Sequence, residues 1–261
     1  MIAGQVHAVI AACLKEPGLL ARWKQEPETL RQCGVDPDAI DLEALWKFAG
    51  LTTKVRHNGL RADLSLTFRL LNSAGLEIEV FGAYGSFHAG KSFGPTVQER
   101  TDELLLFLEQ WLDFGKREHA LLWDLIRHEV ALARLRKLDV TTDSDVVECR
   151  PRASSVPRVR GEIVLHEMRS DPRAVETLLQ QKNPKLEQAP LGKFYFCYWR
   201  VNAEDLYVVD LDALSFHLLS TIDGTRSAAE LSHLLTGTRK PAKGLMSSLA
   251  ELAAVGVIAF A

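Results

Sequence analysis

Cysteine is scarce and scattered, with Cys13, Cys33, Cys149 and Cys197 far apart and no C-x-x-C pair among them. That spacing offers neither a zinc knuckle nor a disulfide framework, so the thiols are expected to be reduced and mostly packed. Long apolar runs are missing as well. None approaches the ~20 residues of a membrane span, and the stretch MIAGQVHAVIAACLKEP has no basic region ahead of its apolar residues. A cytoplasmic address without a membrane partner is therefore expected. Charge of one sign is also lacking: 31 Lys and Arg against 34 Asp and Glu leave a net −3. The chain as a whole is no polycation for nucleic acid. What is present is ordinary globular composition, 47% hydrophobic and 25% charged over 261 residues, enough for one large or two modest domains.

From Gln5 to about Leu138 the apolar periodicity is helical. Val6, Val9, Ile10, Cys13 and Leu14 share one face, and Pro17, Pro27 and Pro37 each sit where a helix can begin. Asp41 opens a longer helix through Leu45, Trp46 and Ala49. Leu60, Leu64, Phe68 and Leu71 form another face. Residues 76–84 fit both a strand and a helix, and the helical surroundings favour helix. The strongest periodicity runs from about Val97 to Leu138, broken near Gly115, and reads as two long amphipathic helices of an antiparallel bundle.

Cys149 to Gly161 (CRPRASSVPRVRG) then carries four arginines, two prolines and two serines without periodicity, the composition of a linker. Beyond it Glu162 to Met168 reads as a strand and Pro172 to Gln181 as a helix. Phe194 to Val201 and Leu206 to Leu211 are β-rich runs joined by the turn residues Asn202 to Asp205, which predicts a hairpin. Three helices follow: Ala213 to Ile222, one capped by Ser227 with Glu230 at capping-box spacing, and Leu245 to Val255, stopped by Gly256. The expected fold class is α+β. It comprises a helical partner-binding domain over 1–148, a linker over 149–160, and an α+β domain over 161–261 with a winged-helix element at about 191–261.

A winged helix can read DNA, but from Leu191 onward there are six Lys and Arg against seven Asp and Glu. Phosphate binding needs the opposite balance, so neither a nucleic-acid partner nor a transcriptional regulator is favoured. Two further motifs look like chemistry. Gly85 to Ser92 (GSFHAGKS) matches the phosphate-loop pattern, yet Gly94-Pro95 follows too closely for a helix to run on from Lys91. It reads as a glycine-rich loop. Asp124 and His128 stand at i, i+4 on a helix and could share a metal in a stand-alone metalloenzyme, but they lack the second histidine of H-E-x-x-H. A surface ion pair with a nearby arginine is the plainer expectation.

The order of hairpin and three helices, with Val-Asp-Leu-Asp leading into the first helix and Asp-Gly-Thr-Arg-Ser after it, resembles the PqqD family, the peptide-recognition element of ribosomal-peptide modifying systems. Lys54 to Arg61 (KVRHNGLR), Leu66 to Leu71, Gly75 to Phe81 and Trp123 to Ala133 resemble the partner subunits of multinuclear non-haem iron oxidases that modify cysteine in ribosomal peptides, the thiaglutamate pathway above all and the methanobactin systems more distantly. The resemblance implies a non-catalytic subunit with no cofactor of its own. Iron would reside in a separate TIM-barrel subunit, bound 1:1, acting on the C-terminal cysteine of a precursor peptide whose leader this chain holds. By that reading the peptide pairs with an edge strand formed by Phe194, Tyr195, Phe196, Cys197, Tyr198 and Trp199, against the Leu245, Leu249 and Leu252 face of the last helix. Arg56, His57, Asn58, Arg61, Trp123 and His128 fall at the partner interface or cleft.

Overall fold

The computed structural model describes residues 2–15, 17–88, 93–138 and 150–260. It is an α+β structure in two compact units, Met1–Ile126 with Val175–Gln188 and Arg127–Ala174 with Ala189–Ala261. The regular elements of the first unit are helices: α1 (Ile2–Lys15), α2 (Pro17–Gln25), α3 (Glu28–Gln32), α4 (Leu42–Arg56), α5 (Ser65–Ser73), α6 (Glu77–Phe87), α7 (Val97–Trp111) and the first half of α8 (Arg117–Lys137), joined by the second half of a helix over 172–179. The helix starts follow local chemistry. Pro17 opens α2, Pro27 precedes α3, and the Asp41 carboxylate accepts the Ala44 N–H at 2.9 Å where α4 begins. Thr96 and Glu99 form a capping box on α7. Residues 76–84 resolve as helix, because Val80, Phe81 and Tyr84 turn inward at helical spacing.

One core of this unit gathers Val9, Cys13, Leu20, Trp23, Leu30, Leu45 and Ala49 from the first four helices and Val35 from the loop after α3. Against α4 lies α6, and glycine makes the approach possible: a Cβ at Gly50 would stand 2.9 Å from the Ile78 carbonyl oxygen.

The second unit begins within α8. Its sheets are β1 (Pro157–Val159) with β5 (Ile258–Phe260), and β2 (Glu162–Ser170), β3 (Leu191–Arg200) and β4 (Leu206–Leu211) in the antiparallel order β2-β3-β4. Between β2 and β3 runs α9 (Pro172–Leu179). The helices α10 (Ala213–Thr221), α11 (Ala228–Thr236) and α12 (Lys243–Val255) follow β4. The hairpin turn is fixed by Asn202, whose side-chain oxygen accepts the N–H groups of Glu204 and Asp205 at 2.8 Å each. Asp212 caps α10, and Ser227 with Glu230 caps α11 as its spacing predicts.

The segment expected as a linker is in part structural. Cys149 and residues 139–148 lie outside the described residues, but Pro157 to Val159 pair with Ile258 to Phe260, and the carbonyls of Ala153 and Ser155 accept the first free N–H groups of α11, from Ala229 and Ala228. Arginine and proline content marked the absence of helix there, and missed a short strand that only a distant segment could pair.

Alternation along the sheet divides its side chains between two cores. Cys197 and Trp199 face the helices, joining Leu218, Leu231, Leu245, Leu249, Leu252 and Val257, with Ile163, Leu165, Val209 and Leu211 at the margin. Phe196 and Tyr198 face the other way onto Ala131 and Leu135 of α8 and Met168 of β2, with Phe194 beside them.

Candidate functional site

The expectation that Phe194 to Val201 offers a free strand edge is corrected by the sheet order. β3 is central: Leu165 pairs with Cys197 on one side and Val209 with Cys197 on the other, so both of its edges are used. Its aromatics are core residues, with Tyr198, Phe196, Cys197 and Trp199 buried. Tyr195 stacks on Phe216 of α10 with ring centres 4.9 Å apart. Leu245, Leu249 and Leu252 are likewise buried beneath the sheet. The residues named from sequence therefore build the platform, and an incoming chain would meet other residues.

The outer strands of this sheet are β2 and β4, and of the two it is β4 that leads directly into the helices α10 to α12. Among the described residues β4 has a strand neighbour on one side only. Tyr207 is exposed and lies 5.5 Å from the Trp199 ring, while Val209 and Leu211 are half-buried toward the helical core. Directly after the strand comes α10, whose Leu214 side chain approaches Gly244 in the first turn of α12. Met246 of α12 is half-buried on the same core. The outer edge of β4 thus presents backbone groups beside a shelf of apolar side chains. Sequence alone could not find it, because which hairpin strand is outermost depends on β2, contributed from some thirty residues upstream.

A polar seam crosses the opposite face of this sheet. Arg127 Nη2 donates to His166 Nδ1 at 2.8 Å, which fixes that nitrogen as an unprotonated acceptor. His128 Nδ1 and the Tyr198 hydroxyl are 2.9 Å apart, and the hydroxyl also reaches Met168 Sδ at 3.9 Å. Burial pushes His128 down to about 4. Burial first, and then the positive charge of Arg127, pushes His166 down to about 3. Both rings are neutral at physiological pH. Arg173 donates to Asp171 and to Asp210 of β4 and lies over Phe196, its guanidinium carbon 5.2 Å from the ring centre. Arg200, also buried, donates to the Leu135 carbonyl and to the carbonyls of Asn202 and Ala203. These arginines tie strand, helix and turn together through backbone oxygens and paired carboxylates.

The expected surface ion pair with a nearby arginine, Arg127 or Arg117, does not describe this helix face, since Asp124 and His128 are both buried. No group of three or more His, Cys, Asp or Glu side chains among the described residues is arranged to hold a metal. Of the phosphate-loop match, α6 occupies both the positions before Gly85, where a strand is required, and Gly85 to Phe87, where the open loop should begin, and residues 89–92 lie outside the described residues.

The candidate interface residues separate by burial. The side chain of Arg56 lies outside the described residues. His57 is fully buried against Phe81, Tyr84 and Phe93, and so is part of the core. Asn58 is exposed. Arg61 donates to Glu77 Oε1 at 2.6 Å, opposite Lys54 on Oε2. Trp123 is half-buried, with its ring 6.2 Å from Phe114. The surface of α4 is more exposed than His57, Arg61 and Trp123. Phe48, Leu51 and Val55 are 50%, 46% and 65% exposed at spacings of three and four residues, one stripe of a helix.

Comparison with family models and with curated proteins finds no match to this chain. No described helix is long and apolar enough to cross a membrane.

Proposed function

We propose that this chain is a non-catalytic peptide-recognition subunit: its second unit, a winged-helix module of the PqqD kind, holds the leader of a precursor peptide while a TIM-barrel iron oxidase modifies the peptide's C-terminal cysteine. The observation that carries the reading is the outer edge of β4, which among the described residues has a strand neighbour on one side only and carries exposed Tyr207 with half-buried Val209 and Leu211 along it. An extended peptide added there gains main-chain hydrogen bonds from the strand and side-chain selection from the shelf. The identity of the oxidase rests on the sequence resemblance, and iron is assigned to that partner. The helical first unit supports a partner surface through the α4 stripe of Phe48, Leu51 and Val55, since large apolar side chains aligned on one exposed face favour cover by another protein.

Hydrogen exchange on the full chain with and without a synthetic precursor peptide tests the peptide reading. Protection should concentrate on residues 206–211 and on α12. Binding that protects neither segment, or no binding at all, contradicts it.

A further inference from the structure

On the first unit a cavity of about 310 Å3 opens between Lys54 of α4, Arg61, and Phe68, Arg69 and Asn72 of α5, with Glu77 of α6 at its edge. Its charges are unbalanced, since three cations face one carboxylate. Both oxygens of Glu77 are engaged, Oε2 by Lys54 and Oε1 by Arg61, each at 2.6 Å. A buried carboxylate held at both ends orients the two cations while cancelling one of the charges. Arg69 donates through Nη2 to the Leu179 carbonyl at 2.6 Å, a neutral acceptor that fixes the guanidinium and leaves its charge in place. The Arg61 guanidinium also lies over the buried Phe68, 4.6 Å from the ring centre, which helps to fix its position. Like charges around a concave, low-dielectric wall focus a positive field into the space they enclose.

We propose that this cavity binds a small molecule bearing an oxyanion, carboxylate or phosphate, through Lys54, Arg61 and Arg69. The volume lies at the small end of ligand cavities, roughly 300 to 1,000 Å3, which fits a metabolite-sized anion and excludes a folded segment. Nothing in the proposal depends on the peptide module, because every residue it uses belongs to the first unit.

Isothermal titration of the full chain with inorganic phosphate and, separately, with succinate at low ionic strength provides the test. One saturable site per chain is expected for at least one of them; phosphate alone identifies a phosphoryl ligand and succinate alone a carboxylate ligand. Asn72→Asp is the informative variant. Asn72 is exposed on the cavity wall, so the substitution adds a carboxylate there without breaking a buried pair. It should weaken binding by about tenfold, the scale of one unit charge placed against the anion in a partly shielded site. Arg69→Met should weaken it similarly. Absence of saturable binding for both anions, or unchanged affinity in Asn72→Asp, overturns the proposal.

Discussion

Burial holds His128 and His166 neutral, with Arg127 adding to the effect at His166, and this makes the second unit sensitive to acid. An unfolded histidine titrates near ~6.5, while the folded values are about 4 for His128 and about 3 for His166. Between those limits the unfolded chain binds more protons, so the contribution of the neutral rings is complete above ~6.5 and is lost as pH falls toward the folded values, by at most about 1.4 kcal/mol per pH unit for each ring. Urea unfolding from pH 7 to pH 5 should show stability falling with pH, and His128→Gln with His166→Gln should flatten the profile. A flat wild-type profile contradicts the assignment. Leu249 supplies a second test at this scale. It is fully buried in the helical core, so Leu249→Glu should cost more than about 4 kcal/mol and unfold the second unit, through an uncompensated charge in apolar surroundings. Circular dichroism would show this, and a folded variant would place Leu249 at a surface. The sequence displayed these residues as an apolar face. Whether such a face meets a peptide or its own sheet is decided by tertiary pairing, which is why residues read as binding residues proved to be core.

Elements were the most legible level. Helix starts at Pro17, Asp41 and Ser227, the stop at Gly256 and the hairpin turn at Asn202 all follow from residue types whose backbone chemistry is local. The expected break near Gly115 falls between α7 and α8. Pairing across distance was not legible: β1 joins β5 from about a hundred residues away, and β2 takes the side of β3 that the sequence reading left open. Close approach of α4 and α6 is similarly invisible without the fold, and it yields an element-scale prediction. Gly50→Ala should destabilise the first unit by about 1–3 kcal/mol, because the atom in the way is the backbone oxygen of Ile78 and cannot swing aside. The control is Gly59→Ala, where nothing stands within 4 Å of the added carbon. Equal thermal unfolding of the two variants would show that the helices separate at little cost.

For the whole molecule, the two units divide the tasks proposed for the chain, peptide holding in the second and partner and anion contacts in the first. Removing residues 191–261 does not isolate the peptide function, since it deletes β3 and β4, leaves β2 without its β3 partner and uncovers Ala131, Leu135 and Met168, on which Phe196 and Tyr198 pack. The intact chain is therefore the right reagent. In the proposed function a leader held on β4 would raise the local concentration of the peptide's reactive end, so the chain should act mainly on the peptide concentration required for turnover. The most direct measurement of the central claim is consumption of a precursor peptide ending in cysteine by three samples: this chain supplied with iron, the co-expressed TIM-barrel iron protein alone, and the two together. Consumption only by the pair, with peptide affinity measurable on this chain alone, is the predicted result. Full turnover by the barrel protein without this chain, or by this chain without the barrel protein, would contradict it.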